Sequence, residues 1–394
     1  MTAWLIDIEQ EDKKGSFKFN FIKIMLIKNI IEFLELSFPL SFQESYDNCG
    51  LQIGDKNVII NSVLLCLDIT ENVIDEAIEK KCNLIISHHP LFLKDIKSIT
   101  STSEKERVIT KCIKNDIAVY AIHTNIDKYF KGLNYEIALN LCLKDIKTLS
   151  PESGMLKKLV TFCPAEHAEN VRKALFGAGA GVIGNYDSCS YNIEGFGTFK
   201  GNDSTSPFVG EQNKLHVEKE LRIETIYPKY LESKILINLF KSHPYEEVAY
   251  DIYPLENKFE VCGLGAIGIM DKPLSQKEFL QHIKNIFKIP FLKVSKLIPI
   301  YRDKKISKVA LCGGSGSSLI EKAISDNVDA FITSDIKYHD FFIPINRDNL
   351  LLIDVGHYEM EIFFKKLLFE HLSEKFNKLA IFLAENEQNP VNYF

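Results

Sequence analysis

The chain has 394 residues, 46% hydrophobic and 25% charged, and its formal net charge is −6. That length allows two or three domains, and the mildly acidic balance gives no basic footprint for nucleic acid. No uncharged run reaches the roughly 18 residues that a spanning helix needs, so no membrane partner is expected. The nine cysteines are dispersed without a C-x-x-C pair, which predicts reduced core thiols in a cytoplasmic protein.

Asp7, Glu9, Glu11 and Asp12 are wrong for a signal peptide, so residues 1–24 read as an extended start or a flexible tail. From Met25 the pattern becomes regular. "LIKNIIEFLEL" places Ile27, Ile30, Ile31 and Leu34 on one helical face. "SVLLCLDIT" predicts a buried strand ending at Asp68, and "ENVIDEAIEKK" a helix with an acidic start. "LIISHHP" (strand), "SEKERVITKCIKND" (helix), "IAVYAIHTNID" (strand and turn) and "LNYEIALNLCL" (helix) continue the alternation. Continuous apolar strands separated by single helices predict a sheet covered on both faces. The same rhythm returns in "SKVALCGGSGSSLIEKAISD", "DAFITSD", "LLLIDVGHYEMEIFFKKLLFEHL" and "KLAIFLAE".

The middle of the chain differs. Two strand–helix–strand units in about a hundred residues suggest a small ferredoxin-like α+β insert, edged by "PESG" and by the segment after Pro254. The expected fold class is therefore α/β: one discontinuous domain in two halves, 25–155 and 259–394, carrying an inserted domain at 156–258.

Four polar clusters fall at the carboxyl ends of predicted strands, the edge where open α/β sheets bind ligands. They are His88-His89; His123 and Asp127 in "HTNID"; Asp335, Lys337 and His339 in "TSDIKYHD"; and His357 and Glu361 in "DVGHYEME". A spacing of four residues puts each His and its carboxylate on one helical face, a turn apart. His88 and His89 admit two readings. On a continuing strand they point to opposite sides, one buried and one solvated; if the strand stops at Ser87, both can surround one cavity.

Imidazoles with carboxylates are a ligand set for zinc, manganese or iron, and no cysteine sits in these motifs to make a closed thiolate site. Ligands drawn from both halves would suit two metal ions that share a water and clamp an oxygen-rich substrate. The corresponding reaction is hydrolysis of a phosphoester, amide or amidine-like bond. "CGGSGSS" at 312–318 lacks the P-loop lysine and the third glycine of a dinucleotide fingerprint, so it reads as a tight turn or a close backbone approach. In "YDNCGLQIGD", Asp47 and Asn48 either line the same cavity or belong to a plain turn.

These motifs, in this order, resemble the Nif-three-like family, whose members carry the label GTP cyclohydrolase I type 2 homolog. The resemblance runs through "YDNCGLQIGD", "LIISHHPLFLK", "YAIHTNIDKYFKGLN", "VALCGGSGSS", "FITSDIKYHD" and "LIDVGHYEME". The insert, with "GAGAGVIGNYDSCSYNIEGFGTFKG" and "HPYEEVAYDIYPL", resembles the PII/CutA-like domain of the longer bacterial members. The resemblance implies a dinuclear site with His88, His89, Asp127, His357 and Glu361 as ligands, Glu361 bridging. His123 and His339 are implied as lining residues or proton carriers. Two divalent ions are expected, zinc first, with manganese, iron or nickel as alternatives. A homohexameric ring with inward-facing metals is also implied.

Two functions follow from this reading: a metal-dependent hydrolase of a small molecule, nucleotides among the candidates, or a non-catalytic regulator sensing an effector through the insert. The GTP label additionally requires purine and triphosphate contacts, and no clustered Arg or Lys set is apparent for them.

Overall fold

The computed structural model describes residues 4–11, 17–23, 25–296, 305–346 and 350–392. The chain divides into two compact units: one runs to Ser150 and resumes at Val261, and the other is Pro151–Glu260.

The first unit is built on two sheets. In one, the strands Ala380–Leu383, Ser62–Cys66, Leu84–Ser87 and Ala118–Ala121 lie side by side in parallel, with Gly50–Ile53 antiparallel at the edge. Every residue of Ser62–Cys66, Leu84–Ser87 and Ala118–Ala121 is buried, as unbroken apolar strands must be when both faces are covered. In the other sheet, Leu351–Asp354, Ala330–Ser334 and Ile306–Ser315 are parallel. Lys293–Val294 flanks them on one side; Phe259–Leu274 and then Leu143–Glu152 complete the order on the other.

One apolar core draws on both sheets: Leu65, Ile86 and Tyr120 from the first, Leu311, Ile332 and Ile353 from the second. Ile30, Ile137, Phe279 and Phe364 join them from the helices Ile27–Ser37, Leu133–Asn140, Gln276–Phe287 and Phe363–Lys375. Separate clusters cover the outer faces. Val73 and Val108 pack on the first sheet and Ile320 and Ala323 on the second.

The "HYEMEIFFKKLLFEHL" helix is broken in two, His357–Glu361 and Phe363–Lys375. The described part of residues 1–24 forms two paired antiparallel strands, Trp4–Glu11 and Phe17–Lys23. Its remaining residues lie outside those described.

In the second unit the strands Leu156–Pro164, Tyr191–Phe199, His216–Pro228 and Tyr250–Leu255 form an all-antiparallel sheet. The last strand lies beside the first, followed by the third and then the second. The helices Ala168–Ala178 and Glu232–Ser242 bury Val171, Leu175, Ile235 and Leu239 with Leu159 and Ile223 of the sheet. The chain order is therefore β-α-β-β-α-β.

Candidate metal centre

The Leu84–Ser87 strand stops immediately before the histidine pair. The backbone still runs beside its neighbour, with His88 N–H donating to Cys66 O and His89 N–H to Leu67 O. Both rings enter one cluster, 5.1 Å apart between centroids and tilted by 46°. The two-sided alternative for this pair is thereby replaced by the shared-cavity one, because the strand geometry ends at Ser87.

Four histidines share one construction. The Nδ1 of His88 bonds Ile122 O at 3.0 Å, that of His89 bonds Asp68 at 2.8 Å, that of His123 bonds Asp47 at 2.9 Å, and that of His357 bonds Asp335 at 2.6 Å. A carbonyl oxygen only accepts, so His88 Nδ1 carries a proton, and in the neutral ring Nε2 is then the bare nitrogen. Anchoring the outer nitrogen on an acceptor and presenting the inner one is how metal-binding imidazoles are held.

Three of the inner nitrogens, those of His88, His89 and His357, converge on Glu361. His89 Nε2 lies 2.9 Å and His357 Nε2 3.1 Å from Glu361 Oε2, and these two nitrogens are 3.4 Å apart. On the other side His88 Nε2 is 3.7 Å from Glu361 Oε1 and 3.8 Å from Asp127 Oδ1. His88 is fully buried. His88 Nε2 and Asp127 Oδ1 are buried without a hydrogen-bond partner. Lone pairs facing lone pairs in a buried site are unfavourable unless a cation sits among them. Nitrogen and carboxylate donors in this number suit a first-row divalent ion, so the residues fit a metal. Among the described residues, two groups have ligand atoms within 4.8 Å of one another: His88, His89 and His123; and His89, His357 and Glu361.

The electrostatics of the metal-free cluster follow from the same contacts. Burial works to raise the Glu361 carboxyl, but the His88 charge and the contacts with His357 and His89 outweigh it and hold it well below the usual range. Asp127 is raised by burial, with His88 and His123 only partly opposing. Burial pulls His89 down, yet its contacts with Asp68 and Glu361 carry it up to about 10. The contact with Glu361 is the main cause that lifts His357 to about 9.

The glycine-rich loop makes a close backbone approach. Gly314 has φ +61°, and a Cβ there would stand 2.5 Å from Glu361 Oε1. Its carbonyl is held by the Thr333 and Ser334 hydroxyls. Asn134 then ties this loop to the Asp127 turn, accepting from Gly313 N–H and donating to Asp127 O. Gly314→Ala is therefore expected to displace the Glu361 carboxylate and weaken metal binding about 10- to 100-fold, readable by calorimetric titration with zinc.

The structure brings together His88, His89, His123, Asp127, His357 and Glu361. It does not bring in His339, which is exposed, rests between the Tyr338 and Phe342 rings, and has no hydrogen bond or ion pair with the cluster. Of its motif, Asp335 is the residue that reaches the cluster, from a backbone at φ +55°. Asp68 was legible only as a strand end, and its role as the anchor of His89 depends on the parallel register of neighbouring strands.

The family profile Duf34/NIF3 (NGG1p interacting factor 3) matches residues 25–390. The chain is 40% identical over 361 residues to a protein of Halalkalibacterium halodurans named GTP cyclohydrolase 1 type 2 homolog, covering 91% of this chain and 94% of that one. A Bacillus subtilis protein of the same name is 38% identical over 379 residues, covering 93% and 98%. Among solved structures, the Bacillus cereus protein related to NIF3 superposes with a TM-score of 0.81 at 38% identity, over 95% of this chain and 100% of that one. The fold, the histidine–carboxylate cluster and a match along nearly the whole length agree, and the chain belongs to the Duf34/NIF3 family.

Proposed function

We propose that the protein is a dinuclear metal-dependent hydrolase of a small molecule. The observation that carries this reading is the set of anchored histidines whose inner nitrogens meet the two oxygens of one buried carboxylate. His88, His89, Asp127, His357 and Glu361 are the proposed ligands. The two oxygens of Glu361 face different partners, Oε1 toward His88 and Oε2 toward His89 and His357, which is the arrangement a bridging carboxylate needs. Two divalent ions, zinc first, would supply an acidified water and polarise the bond to be broken.

The chain's own residues do the rest. Asp47, Asp68 and Asp335 fix the tautomers of His123, His89 and His357, and the Ile122 carbonyl fixes that of His88. His123, at the margin of the ligand set, is the histidine positioned to hold or pass a proton at Nε2; His339 is the less well placed of the two proposed for that role. Metal analysis by mass spectrometry of protein purified without chelator is expected to find about two divalent ions per chain. No metal, and none taken up from added zinc or manganese, would remove the hydrolase reading.

A second reading is a regulator that senses an effector through an insert of PII/CutA type. It is supported by the β-α-β-β-α-β sheet of the second unit and by a cleft of about 430 Å³ there, lined by Phe162, Glu220, Arg222 and Tyr245 among others. The family resemblance adds a homohexameric, cytoplasmic assembly to either reading, and sedimentation velocity tests the hexamer.

A further inference from the structure

A cavity of about 700 Å³ opens beside the cluster and is lined on one side of its chemistry by His89, His357, Asp68 and Asp335. That volume lies within the range of small-molecule sites. Besides Leu67, Val355 and Tyr358 next to the cluster, its apolar lining draws on two segments distant in sequence, Phe291-Leu292 and Pro390-Val391.

Both segments are held in place. Lys293 and Val294 pair with Asp354 and Ile353, the strand that leads directly into His357, so Phe291 is fixed beside the ligand-bearing turn. The tail is fastened through Asn389, whose side chain donates to Glu359 and accepts from Val391 N–H. Phe291 is nonetheless 58% exposed and Val391 55% exposed. A large apolar surface left open beside a polar cluster marks a binding site.

The charges in and around the cavity narrow what fits. Lys293 is the only lysine or arginine among the described residues that line it, and it is already paired with Asp354 at 3.2 Å. Glu359 adds a further carboxylate to the lining. At the centre, Asp127 and Glu361 with the anchoring Asp47, Asp68 and Asp335 outnumber by one the positive charges that two divalent ions bring. A loaded centre is then close to neutral and has no surplus charge for a polyanion, and among the described residues the walls add no unpaired lysine or arginine.

We infer that this cavity is the substrate site of the metal centre and that it takes an uncharged or cationic planar ring carrying an amide or amidine, seated on Phe291 and Val391, rather than a nucleoside triphosphate. The inference rests on the hydrolase reading for its metal and on the cavity for its substrate class.

Ligand-observed NMR and calorimetry on the zinc-loaded full-length protein test it with three probes: benzamide, guanosine and GTP. Benzamide and guanosine are expected to bind, with GTP at least about tenfold weaker than guanosine. Phe291→Ala, a substitution at an exposed position, is expected to weaken the two uncharged probes about five- to tenfold without changing zinc content. Val391→Ser serves as a second variant on the same wall and is expected to act in the same direction. GTP binding as tightly as guanosine, neither uncharged probe binding, or no effect of either variant would overturn the assignment. Zinc content, measured separately, reports on the metal reading. If zinc does not load, the hydrolase reading fails by itself, and the effect of Phe291→Ala and Val391→Ser on benzamide and guanosine still tests the cavity wall.

Discussion

Glu361→Ala is expected to bring the metal content from about two ions per chain to well below one, with the fold retained. Glu361 is 2% exposed, and its two oxygens reach His88 on one side and His89 and His357 on the other. Its removal takes one anionic donor from each of the two proposed positions at once. Changes to groups that merely orient a ligand cost about 10- to 100-fold in affinity, so loss of the shared ligand itself is expected to exceed that. Glu361→Gln keeps the shape and removes the charge, and is expected to fall between the two. Mass spectrometry of both variants, with circular dichroism as the check on folding, decides the matter. Wild-type metal content in the alanine variant would exclude Glu361 as the bridge.

The second large effect is expected far from the cluster in sequence. Glu387 Oε1 accepts from Leu67 N–H at 2.5 Å and Asp68 N–H at 2.7 Å, while Oε2 meets Lys365 Nζ at 2.8 Å. The Glu387 side chain is 1% exposed and that of Lys365 11%. Glu387→Ala would leave a largely buried ammonium with the Ala384 carbonyl but no opposite charge, and two strand-end N–H groups unpaired. Breaking a buried pair from one side costs about 3–5 kcal/mol, readable as a lower denaturant midpoint. Because Asp68 anchors His89, zinc affinity is expected to fall as well. Glu387→Gln, which keeps an acceptor, is expected to recover much of the affinity but less of the stability. An unchanged midpoint in the alanine variant would refute the clamp.

The strands that carry the cluster were readable because burial on both faces demands unbroken apolar runs, and such runs survive in the sequence as "LIIS", "AVYA" and "AFITS". The His–carboxylate pairs at i and i+4 were readable for the same kind of reason: local spacing dictates local geometry. What was not readable is contact set by register. Asp68 and His89 meet across 21 residues and Asp335 and His357 across 22, through parallel neighbours that no periodicity reports. Glu387 meets Leu67 across 320 residues. The long strands Leu143–Glu152 and Phe259–Leu274 were missed because "LKDIKTLSPE" and "FEVCGLGAIGIMDKPL" mix polar residues and glycine into a partly exposed pattern. The Gln276–Phe287 helix had a usable signal that went unread, the Ser275–Glu278 capping box. His339 looked equivalent to its neighbours by position alone, but one turn of backbone sends it to the surface.

The halves of the cluster lie on either side of the second unit along the chain, and His89 precedes His357 by 268 residues. At about 5–20 residues per second, synthesis would separate the two histidines by some tens of seconds. During that interval the early imidazoles exist without the carboxylate that completes their surroundings. The proposed two-ion site is therefore complete only when the late segment has been made, although His88, His89 and His123 all belong to the early half. Arrested chains of graded length, pulled down and assayed for zinc, are expected to reach about two ions per chain only once Glu361 has been added.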